Sequence, residues 1–175
     1  MNWSWLLPDD AETPAAFRPH DHAQCVSQGL MRAEALARTR GLRLTPVRRR
    51  VLEILLERHG AMGAYEVLDR LSEEGYGHQP PVAYRALDFL VEHGLAHRIR
   101  RINAFIACAH PGKDHHAAFL ICRNCRAVAE LPADGLRSAL EAGAREAGFG
   151  IERVSLEASG LCPGCQAVSG TEEAP

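Results

Sequence analysis

The chain has 175 residues, 46% of them hydrophobic and 24% charged, with a formal charge of −2. That fits one ordinary domain or two small ones with enough apolar material for a core, and it excludes wholesale disorder. No apolar run approaches the roughly 20 residues of a membrane-spanning helix. Trp3-Ser4-Trp5-Leu6-Leu7 is too short for a signal-peptide core, lacks a basic segment before it and meets Pro8-Asp9-Asp10 at once, so the expected setting is cytoplasmic.

The near-neutral total neither suggests nor excludes nucleic acid, but the distribution is uneven. Residues 1–107 hold 14 basic and 13 acidic side chains, and residues 108–175 hold 6 and 9. Arg38 to Arg50 contains six arginines and no acid. Such a run is either a solvated helix face or a source of phosphate contacts, for which the guanidinium fork is suited.

In chain order, residues 1–20 hold three prolines and no sustained period and read as a loose tail. Helical spacing runs from about Asp21 to Arg40, with Gly41 as a stop. Thr45-Pro46 is a helix start, a hydroxyl N-cap with proline at N1, and places Val51, Leu52, Leu55 and Leu56 on one face before Gly60. A third helix is expected over about Ala64–Glu74, and a fourth from Pro81 or Val82 to just before Gly94. On the fourth, Val82, Ala83, Ala86, Leu87, Phe89, Leu90 and Val91 share one arc, while Tyr84, Arg85, Asp88 and Glu92 share the opposite one. Leu95–Arg100 and Ala104–Cys108 read as a hairpin turning at Arg101-Ile102-Asn103. Helices followed by a two-stranded hairpin are the order of a winged helix-turn-helix, in which the second helix of the turn motif enters the major groove.

After Cys108 the pattern changes. His116–Cys122 and Ala127–Leu131 read as strands, Asp134–Ala147 as an alanine-rich helix ended by Gly148, and Phe149–Glu157 as a third strand, followed by a cysteine pair and a polar tail. The fold class is therefore α+β: a winged helix-turn-helix, then a small α/β unit too small to bury much alone, which points to pairing with a second copy. The expected division is a tail over 1–20, a DNA-binding unit over 21–107, a dimerisation and metal-binding unit over 108–168 and a tail over 169–175.

Cys122-Arg-Asn-Cys125 and Cys162-Pro-Gly-Cys165 are two C-x2-C pairs with 36 residues between them. Each turn presents two thiolates to one ion from the same side, and two turns complete a tetrahedron, the arrangement of structural zinc. A disulfide reading lacks an oxidising compartment, and a thioredoxin-like reading needs a single pair. Cys25 stands alone in a helical pattern and reads as a small buried residue. Cys108 opens a loop with His110, His115 and His116, flanked in sequence by His97 and Glu130. Thiol, imidazole and carboxylate together make a plausible site for a borderline-soft ion.

These features resemble the ferric uptake regulator family, and within it the zinc uptake regulator branch, over about residues 25–166. The resemblance rests on Leu44-Thr45-Pro46-x-Arg48, Pro81-x-x-Tyr84-Arg85-Ala86-Leu87-Asp88-Phe89-Leu90, Gly94-Leu95-x-His97 and the two C-x2-C pairs in order. It implies a dimeric repressor of operator double-stranded DNA with a hinge metal that locks the DNA-binding shape. It also implies two zinc ions per chain, with neither an organic cofactor nor a membrane partner. The structural zinc maps to Cys122, Cys125, Cys162 and Cys165. The regulatory zinc maps to His97, Cys108, His115 and Glu130, with His116 in place of His115 when the spacing is counted from Cys108 rather than from Cys122. Tyr65 and Arg85 map to base-reading positions, beside Tyr84, and Arg48 or Arg49 is expected on phosphate. The family's usual threonine-valine before the tyrosine-arginine pair is Val82-Ala83 here, which removes a hydroxyl from the helix start. The iron and peroxide branches place H-x-H five and three residues before the first paired cysteine, where this chain has Ala117 and Phe119. Cys108 supplies a thiolate instead, which favours zinc.

An enzyme is the first rival class. The chain lacks the H-x-E of zinc deaminases, H-E-x-x-H, the Walker A motif and G-x-G-x-x-G. Two further rivals are an iron- or peroxide-responsive regulator of the same family, and a thiol redox switch that releases structural zinc.

Overall fold

The structure is a computed structural model and describes residues 13–19, 21–113 and 115–169. Of the expected tails, residues 1–12, 20 and 170–175 lie outside the described residues, whereas Ala15–Phe17 form one 3-10 turn.

Helix α1 spans His22–Thr39, and its N-cap Asp21 accepts hydrogen bonds from the backbone N–H groups of Ala23 and Gln24. Helix α2 spans Pro46–Leu56 and starts at the expected signal, with the Thr45 hydroxyl accepting from the Arg48 N–H. A two-residue strand β1, Met62–Gly63, leads into α3, Ala64–Glu73, where the Glu66 carboxylate reaches back to accept from the N-cap Gly63 N–H at 2.7 Å. Helix α4 spans Pro80–Glu92, a residue earlier than expected, because two prolines occupy its first turn, where a missing N–H costs nothing.

Strands β2, Ala96–Ile99, and β3, Ala104–Ala107, form the hairpin, and β1 adds to it in the order β1-β3-β2. Asn103, at φ 47°, takes the left-handed position of the turn. Alternation along β3 divides its side chains. Phe105 enters the helical core with Leu52, Leu55, Leu87 and Leu90. Ala104 and Ile106 face the other way and pack with Ile99 against Phe119, Ile121 and Val128. The wing sheet is thus a middle layer between the helices and a second sheet.

That second sheet has the order β5-β4-β6, from β4 (Ala117–Cys122), β5 (Val128–Pro132) and β6 (Leu156–Gly160). Helix α5, Asp134–Glu146, connects β5 to β6, which lies parallel to β4 with Cys122 opposite Gly160. The third strand therefore starts later than the expected Phe149–Glu157. Ile151 and Val154 are three residues apart, and an odd spacing cannot keep both on one face of a strand. The expected polar tail is also corrected in part: Pro163–Ser169 form a short helix, α6, with Pro163 at its start. No helix among the described residues is long and apolar enough to cross a membrane.

Candidate metal centres and nucleic-acid face

The two C-x2-C turns meet because β4 and β6 are parallel neighbours in register. Cys122 ends β4, Gly160 ends β6, and Cys162 follows two residues later. The turn after Cys122 is set by Arg126 at φ 61°, whose N–H returns to the Cys122 carbonyl at 3.0 Å. The four Sγ atoms of Cys122, Cys125, Cys162 and Cys165 all lie within 4.8 Å of one another, and Cys125 and Cys162 are 3.7 Å apart. Zinc–sulfur bonds of about 2.3 Å give a tetrahedral edge of about 3.8 Å, which the Cys125–Cys162 pair already matches and which the other sulfurs reach by side-chain adjustment. The Cys162 N–H donates to Cys122 Sγ at 3.4 Å, and the Asn124 amide donates to Cys165 Sγ at 3.4 Å.

The thiols divide electrostatically. Burial opposes ionisation of Cys122, but N–H donors from Cys162, Cys125 and Asn124 outweigh it and bring its pKa to about 6. For Cys125 the Ala127 N–H favours thiolate, yet burial and the neighbouring sulfurs push it up to about 12. Four adjacent sulfurs cannot all carry charge without a cation among them, which is what a structural ion supplies.

The second cluster joins the two sheets. His97 is on β2, Cys108 directly follows β3, His115 is in the loop before β4, and Glu130 is on β5. Their ligand atoms also lie within 4.8 Å of one another. Cys108 Sγ is 3.7 Å from His115 Nε2, and His97 Nε2 is 3.5 Å from Glu130 Oε2. His97 Nε2 is fully buried and makes no hydrogen bond, since the distance to Glu130 is not matched by donor geometry. A buried imidazole nitrogen aimed at a carboxylate and a thiol fits a metal ligand. His115 Nε2 stands 2.7 Å from Glu130 Oε1, while its Nδ1 is 2.8 Å from the Lys113 carbonyl, which fixes the ring as second-layer partners of metal ligands do. His116 is elsewhere: its Nδ1 is 3.4 Å from Arg137. Of the two histidines left open by spacing, only His115 is brought into the cluster.

Burial and the Glu130 charge push the Cys108 thiol up to about 12. Burial also raises Glu130, but His97, the Ala109 N–H and His115 outweigh it, and the carboxyl falls to about 2. At the two positions where H-x-H would stand, Ala117 offers a methyl group and Phe119 packs its ring 5.3 Å from that of His97, so both contribute carbon.

On the opposite side of the helices, α4 buries Ala83, Ala86, Leu87 and Leu90 and exposes Tyr84, Arg85 and Asp88, as its wheel requires. Among the described residues the Arg85 side chain has no ion pair. Tyr65, 64% exposed on α3, stands edge-on to Tyr84 with ring centroids 6.4 Å apart, so these three expected readers share one surface. Arg48 and Arg49 are engaged within the protein. Arg48 lies 3.5 Å over the Phe89 ring and donates to the Arg43 carbonyl at 2.9 Å. Arg49 pairs with Glu34 at 2.7 Å and with Glu53 at 2.9 Å. Sequence reasoning does not find Glu157, whose carboxylate holds the wing turn, because nothing in its local pattern marks a contact so distant along the chain.

A winged helix whose hairpin is bound to a second sheet by a thiol–imidazole–carboxylate cluster, beside a four-cysteine knot, has a counterpart among known proteins. The ferric uptake regulator family model matches residues 39–159, and the chain belongs to that family. It is similar to the zinc uptake regulation protein of Escherichia coli (strain K12), with 38% identity over 137 residues that cover 78% of this chain and 80% of that one. Among solved structures it is similar to a zinc uptake regulator complexed with zinc and DNA, with a TM-score of 0.75 and 35% identity over 87% of this chain and 99% of the solved one. It is also similar to holo XcZur, with a TM-score of 0.71 and 40% identity over 80% and 98%.

Proposed function

We propose that the chain is a cytoplasmic, zinc-responsive transcriptional repressor that binds operator DNA as a homodimer and controls zinc uptake genes. The observation that carries this reading is the placement of His97, Cys108, His115 and Glu130: one on and one just after the wing hairpin, one on the second sheet and one in the loop that leads into it. Cys122, Cys125, Cys162 and Cys165 hold the structural ion, so each chain takes two. Zinc at the hinge cluster supplies positive charge that compensates thiolate and carboxylate and ties the two sheets together.

The protein's own groups do the rest. Phe119, Ile121 and Val128 already seat the second sheet on the wing, so ligands from both sides start close and little entropy is lost on closing. Fixing the wing fixes α3 and α4, because Phe105 of β3 is part of their core. Arg85 then reads a guanine edge while Tyr65 and Tyr84 flank it. The division near residues 107 and 108 follows the change from the helical core to the second sheet. Dimerisation is supported by α5, which buries no residue within the chain and exposes Leu136 and Leu140 one turn apart. A regulatory affinity change arises only from preference for the closed arrangement. The iron- and peroxide-responsive reading is weaker, because Ala117 and Phe119 offer no donor.

Elemental analysis of the purified protein, combined with a DNA shift assay at buffered free zinc, tests this reading. Two zinc ions per chain where the shift saturates, with no response to ferrous iron, is the expected result. Operator binding that ignores zinc would overturn it.

A further inference from the structure

We propose that His22, Cys25 and His59 form a third zinc-binding site, distinct from the four-cysteine and hinge clusters, that joins the first turn of α1 to the loop between α2 and β1. It adds to the function proposed above and does not depend on the hinge assignment. His59 is distant in sequence from the pair on α1, and the fold brings one ligand atom from each of the three within 4.8 Å of the others. Zinc bonds of about 2.0–2.3 Å give tetrahedral edges of about 3.3–3.8 Å. The three donors therefore sit within a side-chain adjustment of ligation.

Each donor is delivered by fixed backbone. His22 and Cys25 are three residues apart on α1, which puts both on one face. The turn that carries them is pinned by its cap: Asp21 Oδ1 accepts from the Ala23 N–H at 3.1 Å and the Gln24 N–H at 3.3 Å. His59 is held from the other side. Its carbonyl accepts from the Val128 N–H at 3.1 Å, and the next residue, Gly60, bridges to Ala127. The loop that presents the imidazole is in effect docked on β5. The His22 and His59 rings meet edge-on, with centroids 4.8 Å apart and planes at 62°, so the two rings converge without stacking face to face. All three residues are half-buried, a level that shields an ion while leaving it a path from solvent.

The donor set selects the ion. One thiolate and two neutral imidazoles suit a borderline-soft divalent ion and leave a fourth tetrahedral position for water or another donor. The set carries a single negative charge, against four thiolates at the cysteine knot and a thiolate plus a carboxylate at the hinge. Arg18 and Arg58 line, with Cys25 and His59, a cleft of about 540 Å³. Weaker charge compensation makes this the last of the three sites to fill. That cleft also reaches Cys108 and Glu130, so it runs from Cys25 and His59 to the edge of the hinge cluster. Filling the site staples the start of α1 to the loop docked on β5, a restraint that runs alongside the hinge.

The test is zinc stoichiometry of the full chain, measured by elemental analysis after equilibration against a series of buffered free-zinc concentrations. Cobalt(II) absorption serves as a second readout of thiolate ligation. The wild-type protein should reach three ions per chain. Cys25→Ser and, separately, His59→Gln should each stop at two, with the weakest step lost and with the thiolate-to-cobalt charge-transfer band of that step absent. Cys108→Ser should also stop at two, and Cys108→Ser combined with Cys25→Ser at one. The combined variant separates the two readings, since a failed hinge assignment would leave Cys108→Ser at the wild-type count while the Cys25 step remained visible. Cys25→Ser and His59→Gln that both keep the wild-type count, whether that count is three or two, would overturn the third site.

Discussion

The carboxylate of Glu157, on β6, accepts a hydrogen bond from the backbone N–H of Arg101 at 2.8 Å, in the turn of the wing. Its second oxygen takes the Arg100 N–H at 2.8 Å, so one side chain closes two open donors of the hairpin turn and ties that turn to the second sheet. This contact is separate from the hinge cluster and holds the far end of the wing.

Glu157→Gln should therefore loosen the wing tip. Burial raises the carboxyl, but the Arg101 and Arg100 N–H groups and the Ser155 hydroxyl outweigh it, and the folded pKa falls below the ordinary 4.5. A depressed folded pKa means that the stabilisation is fully present above the ordinary value and is lost as pH falls through the folded value. The amide still accepts one bond, so the expected cost near neutral pH is about 1 kcal/mol, roughly 2–4 °C in melting temperature. Parallel thermal melts should show the gap closing in acid. A gap independent of pH would place its cause outside this carboxylate.

Cys122→Ser should remove the structural ion and with it the end of the second sheet. Binding free energy at such sites is largely folding free energy, on the order of 10 kcal/mol. The expected product is misfolded or monomeric protein, read by circular dichroism and light scattering. A well-folded dimer with unchanged melting temperature would contradict a structural role.

Leu136→Asp with Leu140→Asp should leave each chain folded but separate the dimer, because α5 contributes no buried residue to its own chain. Light scattering should then give the mass of one chain, and cooperative operator binding should be lost. A variant that remained dimeric would move the interface away from α5.

Arg85→Ala should cost about 1–3 kcal/mol in operator affinity and relax specificity at one base pair, while leaving the salt dependence nearly unchanged. Arg49→Ala should instead weaken all sequences alike and lower the salt slope by about 1 if its guanidinium leaves Glu34 and Glu53 for a phosphate. Arg48→Ala should act mainly on stability, since its guanidinium lies over Phe89. Shift assays at several salt concentrations separate the three.

Much of this molecule is legible in the sequence where the signal is local. Thr45-Pro46, the wheel of α4 and the glycines after each helix are decided within a turn or two, and they place α3, α4 and the start of α2 to within a residue or two, while α2 ends at Leu56, short of Gly60. Paired cysteines are also local, though which strands bring them together is not. The start of β6 is not legible, because Phe149–Glu157 mixes odd and even spacing and register with β4 decides the boundary instead. Counting cannot separate His115 from His116, because the choice depends on which side of the loop faces Glu130. Glu157 and the His22–Cys25–His59 meeting depend on contacts between distant parts of the chain, which no window of sequence contains.

The hinge cluster carries the central claim, and Cys108→Ser tests it most directly. The thiol is buried, its pKa is pushed up to about 12 by burial and by Glu130, and serine replaces it with little change in volume. The measurement is operator affinity of the variant across buffered free zinc, with dimer mass and four-cysteine zinc verified in the same sample. The expected result is an intact dimer that retains its structural zinc and no longer binds operator in response to zinc. A variant that tightens on operator at the same free zinc as the wild type would contradict it and make Cys108 a core thiol.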